Sequence, residues 1–392
     1  NSKVVVAYVT SWSEVMPDPQ YMTHINYAFG HVNESFNGVK IDNEERLRQI
    51  VDLRKQKPEL KVLLSIGGWG SGRFSEMAAN DEYRRAFAAD CDRVVKEFAL
   101  DGIDIDWEYP TSSMANISSS PDDTENFTLL MQDIRAAIGN EKELTLATVA
   151  SARYIDFKAI LPSVDFVNIM AYDMASAPKH HSALYPSGHS GDITSDGAVT
   201  AHLKAGVPPS KLVMGMPFYG RGGDGYPSFQ DYNKVGNTDT QYTEKWDEVA
   251  QVPYLADKND TLVFGFENPR SLAIKCQYIL DKDLLGGMYW DYSGDNEQGD
   301  LRRTVAENLL GKPHKAKVLV LTERGGQHGG FTDAGLKWLA AEGAKGNFSI
   351  TEINNARNIT EAYLSQFSLV IQLDFPPYTW PKEAEDAFVK YI

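Results

Sequence analysis

A chain of 392 residues is longer than one ordinary domain and fits a large α/β domain followed by a smaller unit. Its 42% hydrophobic and 11% aromatic residues supply a sizeable core, with rings to spare for a groove. A formal charge of −16 argues against nucleic acid and anionic membranes as partners, because phosphate recognition needs Lys and Arg, and it suits a neutral substrate.

The two cysteines, Cys91 and Cys276, lie far apart in helix-like stretches and read as buried thiols. No Cys/His spacing suits a metal, so neither a metal nor another cofactor is expected. No apolar run approaches the ~20 residues of a membrane span. The chain starts at Asn1 rather than Met, so removal of a leader, and a secreted, periplasmic or cell-surface location, are expected. Nothing in the sequence points to an oligomeric state.

Taken in chain order, short β-branched runs at Val4–Val9, Ile25–Val32, Val62–Ile66, Ile103–Trp107, Leu144–Val149, Phe166–Tyr172, Leu212–Phe218 and Met288–Tyr292 read as strands. Helical patterns at Glu44–Gln56, Asp81–Phe98, Thr124–Ile138 and Ser271–Asp281 lie between several of them. Eight strands with interposed helices over residues 1–311 predict a (β/α)8 TIM barrel. The competing doubly wound sheet lacks a GxGxxG turn after the first strand. Residues 312–316 read as a linker, and residues 317–392 as a partial βαβαβα unit of flavodoxin-like or amidotransferase-like type. Its predicted elements are Lys317–Thr322, Asp333–Glu342, Phe348–Ile353, Glu361–Gln366, Leu369–Leu373 and Pro381–Tyr391.

The stretch 101–110, DGIDIDWEYP, puts four acids into eight positions. Strand side chains alternate between faces, so Asp104, Asp106 and Glu108 share one side, and Ile103, Ile105 and Trp107 the other. In a barrel the acids face inward, with Glu108 outermost at the C-terminal mouth, where barrel enzymes place their chemistry. Carboxyls crowded in a low-dielectric interior cannot all ionise, which leaves one protonated near neutral pH. That is the general acid a departing glycosidic oxygen needs. Glu108 is the candidate acid, Asp106 its partner, and Asp104 the deeper residue that tunes Asp106. Asp101 has the opposite parity and reads as structural pairing where the strand begins. A structural ion network or a Ca²⁺ or Mg²⁺ site is the alternative, disfavoured by the cost of burying three acids for stability alone.

DGIDIDWEYP resembles the DxxDxDxE signature of family 18 glycoside hydrolases, the chitinase family. Four further stretches resemble the family's strand motifs in the right order: Ser65-Ile-Gly-Gly-Trp69, Met170-Ala-Tyr-Asp173, Met216-Pro-Phe-Tyr-Gly-Arg221 and Gly287-Met-Tyr-Trp290. The resemblance covers roughly residues 3–310. It implies a retaining hydrolase of β-1,4-linked N-acetylglucosamine that uses the substrate's own acetamido group. Glu108 would protonate the leaving oxygen, Asp106 orient the acetamido N–H, and Tyr172 donate to the acetamido carbonyl. Trp290 would floor the sugar site. Tyr8, Phe29, Trp69, Tyr109, Met170, Asp173, Tyr219 and Arg221 would line it. The partner is an N-acetylglucosamine-containing oligo- or polysaccharide. Two other readings share the fold: an endo-β-N-acetylglucosaminidase acting on N-glycans, and a non-catalytic chitin-type lectin, which typically lacks the acid found here at Glu108.

The family often carries a small domain inserted between strands seven and eight. Here the Arg221–Gly286 stretch is short, so the insertion is expected to be absent or cut down and the cleft shallow. His180 and His181 read as loop surface. In the tail, Lys317-Val-Leu-Val-Leu-Thr-Glu323 followed by Gly325-Gly-Gln-His328 resembles the start of a trehalose-utilisation-type, glutamine-amidotransferase-like domain. No activity is assigned to it.

Overall fold

The computed structural model describes residues 2–223, 225–235, 241–311, 316–323, 329–346, 348–357, 359–375 and 379–392. The chain divides into two compact units, Asn1–Gly311 and Lys312–Ile392.

In the first unit eight strands form a closed parallel barrel. They are β1 (Val4–Thr10), β2 (His24–Val32), β3 (Lys61–Gly67), β4 (Gly102–Asp106), β5 (Glu143–Val149), β6 (Phe166–Met170), β7 (Leu212–Pro217) and β8 (Gly286–Trp290). Each pairs with its sequence neighbour, and β1 pairs with β8 to close the ring. The helices are α1 (Glu44–Val51), α2 (Phe74–Ala79), α3 (Asp81–Glu97), α4 (Asp123–Ile138), α5 (Phe157–Ile160), α6 (Ser195–Lys204), α7 (Pro269–Asp281) and α8 (Asp300–Leu309). Only β1 lacks a following α-helix; a 3-10 turn at Pro19–Tyr21 leads to β2.

The period-2 alternation sorts each strand into two layers. Val5, Ala7 and Val9 join the large apolar layer under the helices, while Val6 and Tyr8 join a smaller cluster inside the barrel with Phe29, Phe166, Tyr172 and Met288. Cys91 and Cys276 are both free and buried. Asp101 pairs as its parity suggested: its Oδ2 accepts from Arg54 Nη1 at 3.1 Å and from the Val62 amide at 2.8 Å.

Between β7 and α7 the expected insertion is not absent but small. The stretch holds a five-stranded antiparallel sheet of Gln230–Asp231, Tyr219–Gly222, Leu262–Gly265, Val252–Ala256 and Thr243–Asp247, in that spatial order. A small inserted domain is therefore present, built from strands of two to five residues, too short to announce themselves.

In the second unit Ala316–Thr322 is the central strand of a three-stranded parallel sheet, flanked by Phe348–Ile353 and Leu369–Leu373. Helices Gly329–Gly346, Glu361–Leu364 and Lys382–Tyr391 complete it, in the predicted order. Successive side chains of the central strand feed opposite clusters, Leu319 and Leu321 to one and Val318 and Val320 to the other. Residues 312–315 of the expected linker, and His328, lie outside the described residues; Glu323 is exposed.

Candidate active site

The site grows from the end of β4. Ile103, Ile105 and Trp107 turn outward into the helix-facing layer, so Asp104 and Asp106 turn inward. Asp104 is wholly buried beneath its neighbours. Its carboxylate accepts from Tyr8 Oη at 2.7 Å, Ser65 Oγ at 2.9 Å, Thr145 Oγ1 at 2.7 Å and Asn168 Nδ2 at 3.5 Å. These donors come from β1, β3, β5 and β6, which makes Asp104 a fixed anionic base for the groups above it. Burial pushes its carboxyl up and the hydrogen bonds pull part of the way back.

Asp106 is 3% exposed and Glu108, just beyond the strand, 9%. Among the described residues Asp106 Oδ1 has no hydrogen-bond donor, and the Asp106 side chain lies beside the Glu108 carboxyl. Burial, then the charges of Glu108 and Asp104, push Asp106 far above the usual carboxylate range. Burial raises Glu108 to about 7, although hydrogen bonds with Asp106 and Tyr109 oppose the rise; the Asp173 charge adds to it. Two carboxyls in contact cannot both ionise, so the pair titrates as a unit and keeps one proton near neutral pH.

Around this pair the barrel mouth opens into a cavity of about 880 Å³. Of the residues singled out in the sequence, all but Asp104 line it: Asp106, Glu108 and Tyr172; Tyr8, Phe29, Trp69 and Tyr109; Met170, Asp173, Tyr219, Arg221 and Trp290. Trp290 forms the floor, stacked on Phe29 at 5.6 Å between ring centres and tilted against Tyr8 at 5.3 Å. The Tyr8 hydroxyl is taken by Asp104, so only its ring faces the cavity. Burial, followed by the charges of Asp106, Asp173 and Glu108, keeps Tyr172 a neutral phenol. Among the described residues its hydroxyl has only the weak acceptor Met288 Sδ, at 3.7 Å, which leaves the O–H proton available to a ligand.

Glycines let β3 close on β4 beside the acids. A Cβ on Gly67 would lie 2.0 Å from the Asp106 carbonyl oxygen, and one on Gly68 would strike the Phe29 ring at 2.6 Å. Both have positive φ, 128° and 99°, which glycine alone adopts without strain. This is the physical content of the Ser65-Ile-Gly-Gly-Trp69 stretch, which carries Trp69 to the rim, 61% exposed.

Asp173 sits at the mouth with φ 54°. Its carboxylate is met by the Tyr219 hydroxyl and the Arg221 guanidinium. Arg221 Nε is 3.5 Å from Asp173 Oδ1. Arg221 and Tyr219 belong to the inserted sheet, so the insertion completes one wall.

The expectation that His180 and His181 are loop surface is overturned, since both are buried. His180 Nε2 is 2.9 Å from Asp247 Oδ2, tying the loop after β6 to the inserted sheet, and His181 Nδ1 accepts from the Asp173 amide at 3.1 Å. Sequence reading also missed Trp12, Met114, Tyr154 and Phe229, which line the cavity. Trp12 is 66% exposed, four residues after Tyr8. Its ring lies 6.3 Å from those of Phe29 and Trp290. An aromatic in a loop just beyond a strand with an inward-facing Tyr is the one signal that could have found it.

A closed parallel barrel with a buried carboxyl pair at its C-terminal mouth, over an indole floor, has the parts a glycoside hydrolase needs: a general acid and a flat surface for a sugar ring. The family described as Glycosyl hydrolases family 18 matches residues 4–295. Chitinase A1 of Niallia circulans is 29% identical over an alignment 405 positions long, gaps included, covering 76% of this chain. Chitotriosidase-1 of Mus musculus is 31% identical over 350, covering 75%. The chain spans 57% of the length of the first and 74% of the second. Among solved structures, a family 18 N-acetylglucosaminidase from Paenibacillus barengoltzii superposes with a TM-score of 0.73 at 32% identity, over 79% of this chain and all of that one. The chain belongs to glycoside hydrolase family 18.

Proposed function

We propose that this protein hydrolyses β-1,4-linked N-acetylglucosamine chains, chitin or chitooligosaccharides, with retention of configuration and with the substrate's acetamido group as nucleophile. In the first step the acetamido carbonyl oxygen attacks the anomeric carbon as the glycosidic C–O bond breaks, and Glu108 gives its proton to the leaving oxygen. Asp106 takes the acetamido N–H and offsets the positive charge of the oxazolinium ion. Tyr172 donates to the reacting carbonyl oxygen. In the second step water attacks the same carbon, Glu108 accepts the water's proton, and the five-membered ring reopens. Asp104 sustains Asp106 from below. Trp290, Phe29, Tyr8 and Met170 shape the sugar site, with Trp69, Tyr109, Asp173, Tyr219 and Arg221 contacting it from the rim.

The observation that carries this reading is the placing of the buried Asp106 and Glu108 carboxyls on one aromatic-floored cavity with Tyr172. The barrel at 1–311 is the catalytic domain. Action outside the cell or at its surface suits a polymeric substrate, and among the described residues no helix is long and apolar enough to cross a membrane. For the tail, a central first strand in a parallel sheet supports a flavodoxin-like or amidotransferase-like reading without assigning an activity.

The test uses defined oligomers. N-acetylated chitooligosaccharides should be cleaved with the β-anomer formed first, while fully deacetylated oligomers of the same length should resist, because they lack the internal nucleophile. Equal cleavage of both would sink substrate assistance. Release of N-glycans in place of chitooligosaccharide turnover would favour the N-glycan reading, and tight binding without turnover the lectin.

A further inference from the structure

The buried histidine behind Asp173 has no role in the chemistry above, and its hydrogen bonding is unusual. His181 Nδ1 lies 3.1 Å from the Asp173 amide nitrogen and 3.6 Å from Asp173 Oδ1. One nitrogen cannot both accept from the amide and donate to the carboxylate, and the shorter, better directed contact is the amide. Nδ1 therefore carries a lone pair and the ring proton is on Nε2. That atom is buried and has no hydrogen-bond partner among the described residues. A buried donor left unpaired opposes folding. A leucine in the same space would avoid that penalty, so the acceptor on the other edge of the ring needs a reason to be there.

We infer that His181 is a positioning residue for Asp173: its Nδ1 holds the Asp173 amide and with it the backbone conformation that turns the Asp173 carboxylate into the mouth. This rests on the reading of the site as a hydrolase. Asp173 stands at φ 54°, a region a non-glycine residue keeps only when its surroundings hold it there. Tyr219 and Arg221 reach its carboxylate from the inserted sheet, and Glu108, Tyr109 and Tyr172 feel its charge across the cavity. The Tyr219 ring also packs against the imidazole, 5.3 Å between centres, which fixes the ring's plane. His181 thus couples the loop after β6 to Asp173, whose charge reaches Glu108.

Two substitutions separate the hydrogen bond from the bulk. His181→Leu fills much of the space without an acceptor, and His181→Asn offers a side-chain oxygen near the place of Nδ1. On chitotetraose, His181→Leu should lower kcat/KM about tenfold, the worth of one well-made hydrogen bond. The alkaline limb of its pH profile should move to lower pH, because the Asp173 charge no longer faces Glu108. His181→Asn should recover most of both. A folded His181→Leu with wild-type kcat/KM and pH profile overturns the inference, as does an Asn variant of wild-type melting temperature that recovers nothing. A third measurement is independent of turnover and of the stability of the Leu variant. In nitrogen NMR of histidine-labelled wild-type protein at neutral pH, the signal missing from His181→Asn should be the neutral Nε2–H tautomer. A neutral Nδ1–H or a doubly protonated ring there overturns the inference even if the protein proves to be no hydrolase, whereas absence of wild-type turnover alone counts against the proposed function only.

Discussion

The proposed role of Glu108 and the pH dependence of stability meet in one carboxyl. Its carboxyl rises from an ordinary 4.5 to about 7, so the folded state holds a proton that the unfolded chain releases. The resulting contribution to stability is complete below pH ~4.5 and is lost as pH rises through about 7. At ~1.4 kcal/mol per unit, the loss by pH 8 is roughly 3 kcal/mol for the pair of carboxyls treated as one titrating site. Glu108→Gln should therefore act in opposite directions on two measurements. Hydrolysis of chitooligosaccharides should fall by about three orders of magnitude or more, since the amide keeps the shape but has no proton to give. Thermal stability at pH 8 should rise above wild type, since the amide can donate to Asp106 and carries no buried charge, and the advantage should vanish at pH 4. Wild-type kcat should decline on the alkaline side near pH 7. A Glu108→Gln enzyme with wild-type turnover would remove Glu108 from its role. At this scale the acids were legible, because strand parity alone separates Asp104, Asp106 and Glu108 from Ile103, Ile105 and Trp107. His181 was not, because no local pattern tells a loop histidine at the surface from one folded back under the mouth.

At the scale of elements, the eight barrel strands could be read because each is rich in apolar and β-branched residues and buried on both faces, even β4 with its two inward acids. The inserted strands could not. Tyr219–Gly222 is YGRG and Thr243–Asp247 is TEKWD, and neither alternates like a half-buried strand. What makes them strands is their pairing with Leu262–Gly265 and Val252–Ala256, a long-range contact that a local window misses. The insertion is fastened where it rejoins the barrel. Lys275 on α7 and Glu267 just before it are both fully buried, with Nζ 2.6 Å from Oε2, and Ser182 of the loop after β6 joins the pair by its hydroxyl to Glu267 and its carbonyl to Lys275. Lys275→Met should cost about 3–5 kcal/mol in urea unfolding, because it strands the Glu267 charge. Adding Glu267→Leu should restore most of that loss by leaving no lone charge. Equal stability of Lys275→Met and wild type would show that the pair does not fasten this junction.

For the whole molecule, two different kinds of information were available. The order of strands and helices predicted a barrel and a following α/β unit, and the cavity-lining residues all fall between Tyr8 and Trp290, within the first unit. The charge of −16 set an independent constraint on the ligand. Such a charge builds a negative field around the molecule that repels anions and gathers cations, and salt screens it. Chitooligosaccharides carry no net charge, so the field has nothing to act on. Between about 0.01 M and about 1 M salt, across which the screening length shrinks from ~30 Å to ~3 Å, KM for chitotetraose should stay within roughly twofold. Partly deacetylated oligomers carry ammonium groups, and their KM should rise with salt over the same range. A strong salt dependence with the fully acetylated oligomer would mean that the charged shell of the protein takes part in binding. The recognition described here would then be incomplete, because it assigns substrate contact to the rings of Trp290, Phe29 and Tyr8 and to hydrogen bonds at the mouth.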